Sequence, residues 1–105
     1  MSKTKPYRLY YTDKDGVEQR LAIRSIERLE FIERNGASGR YEIRAKTGEM
    51  WTSRDVRALE IRGLWEVEWL EPGDTEYEGG WKIVALNDVG RNVIRKWAEH
   101  LAAQK

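Results

Sequence analysis

The chain has 105 residues, 40% hydrophobic and 35% charged, the size and make-up of one small globular domain with a single core. Its 19 Lys and Arg against 18 Asp and Glu leave a net charge of +1, so bulk charge points neither to a polyanion partner nor to a nucleic-acid mimic. The absence of cysteine excludes disulfides, Cys-ligated zinc or iron–sulfur sites and thiol catalysis, and a single histidine, His100, leaves little for a His-based metal site. Residues 1–6 are basic but run into charged, alternating sequence, and no apolar run approaches the ~20 residues of a membrane span. The expectation is a soluble cytoplasmic protein.

Residues 7–23 alternate in polarity. Tyr7, Leu9 and Tyr11 share one face, and after the break Asp13-Lys14-Asp15-Gly16 so do Val17, Gln19, Leu21 and Ile23. Asp-Gly between two alternating runs predicts an opening β-hairpin. Ser25 is placed to cap a helix whose Ile26, Leu29 and Ile32 recur on one stripe and which Asn35-Gly36 stops. Phe31 lies about 140° from Ile26 at ~100° per residue, where it would pack on a second element such as the hairpin. Past the loop at residues 36–39, Tyr41, Ile43 and Ala45 alternate with Glu42, Arg44 and Lys46 and predict a short strand closed by Thr47-Gly48.

Thr52 and Asp55 stand at capping-box spacing, with Ser53 as the other candidate cap, so a second helix should cover residues 53–62 and stop at Gly63. Residues 64–70 alternate into a strand whose Trp65, Val67 and Trp69 face is the one to bury. Pro72-Gly73 turns the chain into an acidic loop ending at Gly79-Gly80, and residues 81–86 form the return strand. A last helix starts near Asn87 or Asp88, with Val89, Val93, Ile94, Trp97, Ala98 and Leu101 in a broad apolar stripe. The expected order is ββ-α-β-α-ββ-α, a single α+β domain with a hairpin at 7–23 and a unit spanning 25–101.

The run Val56-Arg57-Ala58-Leu59-Glu60-Ile61-Arg62-Gly63-Leu64, an acidic hairpin, and Leu86-Asn87-Asp88-Val89-Gly90-Arg91 leading into a helix form a recognisable arrangement. It resembles the second half of small bacterial and phage winged helix-turn-helix DNA-binding proteins. In that family a recognition helix ends in a Leu-x-x-x-Gly-Leu turn and a β-hairpin wing follows. The wing's last strand then enters a C-terminal helix through a Leu-Thr-x-x-Gly-Arg-like turn. The resemblance covers residues 25–101, with the helix at 25–35 as the family's first helix. It implies a winged-helix-like fold, double-stranded DNA as partner and transcriptional regulation as role. Two departures stand out. Asn87 replaces the usual Thr and would cap with its amide oxygen. Residues 36–51 read as loop and strand where the family has a complete helix, with a single turn around residues 48–51 as the substitute. The leading hairpin is an addition.

With Val56 at 0° and ~100° per residue, Arg54, Arg57 and Ile61 fall at about 100° to 160°, away from Leu59 near 300°. The resemblance implies that this face enters the major groove, where Arg bonds guanine bidentately. Thr52, Ser53 and the helix N-terminus would hold a backbone phosphate, and Arg44 and Lys46, sharing one face of the preceding strand, would add phosphate contacts. The other reading of Arg54 and Arg57 is solvated charge paired with Asp55 or Glu60.

Charge is unevenly distributed: residues 1–62 hold 14 basic and 10 acidic groups, residues 63–81 none and six, and residues 82–105 five and two. A hairpin carrying only Glu66, Glu68, Glu71, Asp74, Glu76 and Glu78 would be repelled by phosphates. It supports the alternative of a protein-binding module, such as a phage-encoded inhibitor or adaptor. That module would present Glu66, Glu68, Asp74, Glu76 and Glu78, or the N-terminal hairpin, to a basic protein surface. Of the five tryptophans, Trp65, Trp69, Trp81 and Trp97 fall on faces expected in the core, and Trp51 is the candidate exposed anchor. The width of the last helix's stripe points to a homodimer through Val93, Ile94, Trp97 and Leu101.

Catalysis is not expected. His100 has no orienting partner in sequence, Glu66 and Glu68 only share a strand face, and the glycines at 36–39 and 79–80 lack the Lys and the strand-to-helix context of a phosphate loop. No cofactor or metal is expected.

Overall fold

The computed structural model describes residues 8–70 and 80–104. Strands β1 (Arg8–Thr12) and β2 (Glu18–Ala22) form the opening antiparallel hairpin, Leu9 opposite Leu21 and Tyr11 opposite Gln19. Asp13 builds the turn. Its N–H donates to the Val17 carbonyl, and its carboxylate accepts from the Asp15 and Val17 N–H groups and from the Gln19 amide. Those donors, Gln19 foremost, hold the Asp13 carboxyl below the usual aspartate value. Leu9, Tyr11 and Leu21 are buried, so the hairpin lies on the body of the domain and does not stand off from it. Burial pushes the Tyr11 phenol up, against the pull of the nearby Arg62.

Helix α1 (Ile23–Asn35) leaves β2 without a loop. Ala22 occupies the cap position with no side-chain bond, and Ser25, the expected cap, sits inside the first turn. The hairpin strand runs straight into the helix, which begins two residues before Ser25, so Ser25 is itself helical and cannot cap. Ile26, Leu29, Phe31 and Ile32 are buried, and the Gly36 N–H closes the helix onto the Ile32 carbonyl.

The strand expected at 41–46 is a helix, α2 (Arg40–Thr47), preceded by the two-residue strand β3 (Ser38–Gly39). Glu42 folds back to accept the Gly39 N–H at 2.6 Å, satisfying one of the donors that a helix start leaves open. The Thr47 hydroxyl donates to the Ile43 carbonyl at the other end. Only Ile43 is buried, while Tyr41 and Ala45 are exposed. The alternation of apolar and charged residues therefore does not describe two faces of a strand.

Helix α3 (Ser53–Ile61) starts as expected in a capping box: the Thr52 hydroxyl accepts the Asp55 N–H, and Asp55 accepts the Thr52 N–H. It ends at Gly63, whose φ of +76° allows the Leu64 N–H to reach the Leu59 carbonyl and the Gly63 N–H that of Glu60. The end of the helix is tied to the hairpin by a 2.8 Å bond from the Arg62 guanidinium to the Arg20 carbonyl.

Strands β4 (Trp65–Trp69) and β5 (Trp81–Leu86) pair antiparallel with an irregularity at Glu66/Val67, and β3 adds to the far side of β5, giving the order β3-β5-β4. Helix α4 (Asp88–Ala103) packs on α1, β1 and β5. Its first turn lies against the α3–β4 turn so closely that a Cβ at Gly90 would overlap the Leu64 carbonyl oxygen. Asn87 does not cap with its side chain: its amide oxygen is buried without a partner among the described residues. Its backbone serves instead, the N–H donating to the Leu64 carbonyl and the carbonyl accepting from Arg91. The described residues thus form a small α+β domain of four helices and two antiparallel sheets around one core.

Candidate nucleic-acid interface

The α2–α3 turn is fixed from beneath by an aromatic cluster. Trp51, expected to be exposed, is only 2% exposed, which overturns its role as an outward anchor. Its ring stacks on Trp65 at 6.0 Å and 18°, and Phe31 meets it edge-on at 5.7 Å and 72°. Phe31, off the main stripe of α1, thus packs on a second element, the α2–α3 turn. The Trp51 indole N–H donates to Glu49 and that of Trp65 to the Val56 carbonyl, each at 3.0 Å, so both rings bury with their polar atoms satisfied. The Arg28 guanidinium lies over the Trp51 ring at 5.2 Å. Together these contacts lock the N-terminus of α3 to α1 and β4.

With Val56 and Leu59 buried, the opposite side of α3 presents Ser53, Arg54, Arg57, Ala58 and Ile61, the last of them 72% exposed. Asp55 points off this face, and Glu60, half-buried and three residues after Arg57, borders it. Asp55 turns away to Thr52 and to Arg28, 3.6 Å from its carboxylate. Glu60 accepts the Trp69 indole N–H at 3.0 Å. Arg54 and Arg57 are thus not neutralised by the acids beside them in sequence. The Arg57 guanidinium instead lies over the Trp69 ring, 4.5 Å from its centroid, while Arg54 has no ion pair or hydrogen bond among the described residues. Partial burial opposes ionisation of Asp55, but bonds from Thr52 and the charge of Arg28 outweigh it and hold the carboxyl below its ordinary value.

The other sequence candidates divide. Thr52 spends its hydroxyl and its N–H on Asp55, and that carboxylate already supplies the negative charge favoured at a helix N-terminus. Ser53 is exposed beside it. Arg44 and Lys46 are exposed on the last turn of α2 and, being helical, point about 200° apart instead of sharing a strand face. Lys46 reaches the Asn35 side chain at 3.4 Å. On β4, Glu66 and Glu68 are exposed. Glu71, Asp74, Glu76 and Glu78 lie outside the described residues.

On α4, Val93 is 1% exposed within the domain's own core and is not available to a second copy, whereas Leu101 is exposed and Ile94 and Trp97 are half-buried against the core. The Trp97 ring stacks on His100 at 5.3 Å.

Two features escaped the sequence reading. Arg28 looked like one more charge on a helix, and the pairing of Arg57 with Trp69 joins a helix to the strand that follows it. The i, i+3 spacing of Arg57 and Glu60, which brings both within reach of one ring on the next element, is the only local hint.

Comparison of the chain with models of known protein families, with curated proteins and with solved structures finds no match.

Proposed function

We propose that the chain is a sequence-specific DNA-binding protein of the winged-helix kind, a regulator of transcription that sets the outward face of α3 into the major groove. The observation that carries this reading is the composition of that face: two arginines, two apolar residues and a serine, with the one bordering acid, Glu60, engaged by Trp69. The helix α2 also supports it, since it supplies the element before the recognition helix that the sequence had lacked.

The chemistry follows from the geometry. Arg57, stacked on Trp69, is pre-ordered and gives up less side-chain freedom when it bonds the O6 and N7 atoms of guanine. Arg54 is free to reach a neighbouring base or phosphate. Ala58 and Ile61 offer methyl groups to thymine. The exposed Glu66 and Glu68 keep the phosphate backbone away from the β4–β5 hairpin, so the duplex meets α3 and not the hairpin.

In a mobility-shift assay the variant Arg54→Glu with Arg57→Glu loses retention of duplex DNA while its circular dichroism stays that of the parent, with melting lowered only by the loss of the Arg57–Trp69 contact. A folded variant that retains DNA as the parent does would overturn the assignment.

A further inference from the structure

Among the described residues, β1 is an edge strand: it pairs with β2 on one side and with no strand on the other. The Asp13 N–H bonds the Val17 carbonyl, and from that pair hydrogen-bonded and non-bonded pairs alternate along the antiparallel ladder. Leu9 and Tyr11 therefore bond to β2, while the N–H and C=O groups of Tyr10 and Thr12 point to the open edge. These outward groups have no partner among the described residues. The ladder runs from Arg8 to Thr12 without a bulge, and the strand holds no proline, so two of the devices that usually blunt a sheet edge are missing.

Helix α4 packs beside this strand. Two hollows of about 430 and 340 Å³ lie between them. Leu9, Tyr10 and His100 line the first, Tyr11, Thr12 and Arg95 line the second, and Lys96 and Glu99 line both. The two thus form one groove that follows the strand from Leu9 to Thr12, roughly 13 Å at ~3.3 Å per residue. Tyr10, 49% exposed, gives it an aromatic wall. The charges around it are unbalanced. Arg8, Arg20, Arg95 and Lys96 are exposed, and their side chains have no ion pair or hydrogen bond among the described residues, against only Glu18 and Glu99 as neighbouring acids.

We propose that this groove takes an extended acidic segment of a partner protein, which adds to β1 as a third strand of the hairpin sheet. Main-chain bonds to Tyr10 and Thr12 fix the register of the segment, and alternate side chains enter the hollows beside α4. The surplus of arginine and lysine selects Asp and Glu in the partner. It also disfavours a second copy of β1 as the occupant, since Arg8 and Arg20 of that copy would meet the same basic groups. The groove contains no residue of α3, so this site goes beyond the reading of that helix.

The test uses the full chain and a library of peptides of about eight residues, long enough to cover the strand, with Asp or Glu at alternate positions and Val, Ile, Leu, Tyr or Phe between them. The same library with Lys at the charged positions is the control. Members of the acidic library are expected to bind saturably, and at saturation amide hydrogen exchange at Tyr10 and Thr12, read by NMR, slows by at least about tenfold. Binding weakens by at least about tenfold in Arg95→Gln with Lys96→Gln, whose exposed side chains leave the core untouched. The proposal is overturned if no acidic peptide binds, if the Lys library binds as well, or if binding leaves the two amides exchanging as before. Sedimentation of the chain alone tests the other occupant. A mass that rises with concentration while the Tyr10 and Thr12 amides become protected would give the edge to a second copy and overturn the acidic partner.

Discussion

Replacing Gly90 with alanine sets two opposing effects against each other, and the geometry says which wins. Alanine is the better helix former by at most about 1 kcal/mol, and in an unencumbered helix the change would stabilise. Here the new Cβ would overlap the Leu64 carbonyl oxygen and stand 3.5 Å from the Leu86 Cβ. The obstacle is backbone, held by the turn at Gly63 and by the Asn87 N–H, so it cannot rotate aside as a side chain would. Relief requires the first turn of α4 to lift, which costs about 1–3 kcal/mol of overpacking strain and about 1 kcal/mol for the 3.3 Å bond from Asn87 to Leu64. The net expectation is a loss of about 1–3 kcal/mol, which in a domain of this size lowers Tm by roughly 5–20 °C. Urea titration followed by circular dichroism measures it, with the slope m unchanged if the native fold persists. A Gly90→Ala variant as stable as the parent, or more so, would refute the close approach of α4 to the α3–β4 turn.

Three further outcomes follow from the α3 region. Thr52→Ala removes the acceptor of the Asp55 N–H and should cost about 1 kcal/mol in the same titration, and no loss would mean that the cap is not formed. Asp55 has its carboxyl held below its 3.8 reference, so its contribution is complete above that value and is lost as pH falls through the folded-state pKa. The stability difference between parent and Asp55→Asn should therefore be flat at neutral pH and shrink on acidification. A difference that grows toward acid would contradict the Thr52 and Arg28 contacts. Trp51→Ala removes a ring buried against Phe31, Trp65 and Arg28 and should cost about 3–5 kcal/mol, with loss of near-ultraviolet dichroism. A loss below about 0.5 kcal/mol, as for a surface residue, would refute the cluster.

The elements legible in the sequence are those whose signals are local. Asp13 and Gly16 announce their hairpin, Thr52 and Asp55 their capping box and Gly63 its helix stop, because each depends on residues a few positions away. Helix α2 was hidden because it buries one residue, Ile43, and so has no 3.6-residue stripe. Its exposed Tyr41 and Ala45 mimic a strand alternation, while the one start signal, Gly39 with Glu42 three residues on, sits in a stretch that otherwise reads as loop. Trp51 was misplaced for a different reason: its partners come from α1 and β4, so nothing within a few residues reveals its burial. The candidate site shows the same division. The arginine face of α3 follows from helix angles alone. The engagement of Asp55 by Arg28 and of Glu60 by Trp69, which leaves Arg54 and Arg57 without an ion pair among the described residues, needs the tertiary fold.

The claim that α3 meets DNA is tested most directly by anisotropy titration of a random duplex with the unmodified chain at 50 and 200 mM salt. Each neutralised phosphate predicts a loss of affinity of about 3.5-fold between the two conditions, because it releases counterions. Absence of binding at the lower salt, or an affinity that does not change between the two, would contradict the account.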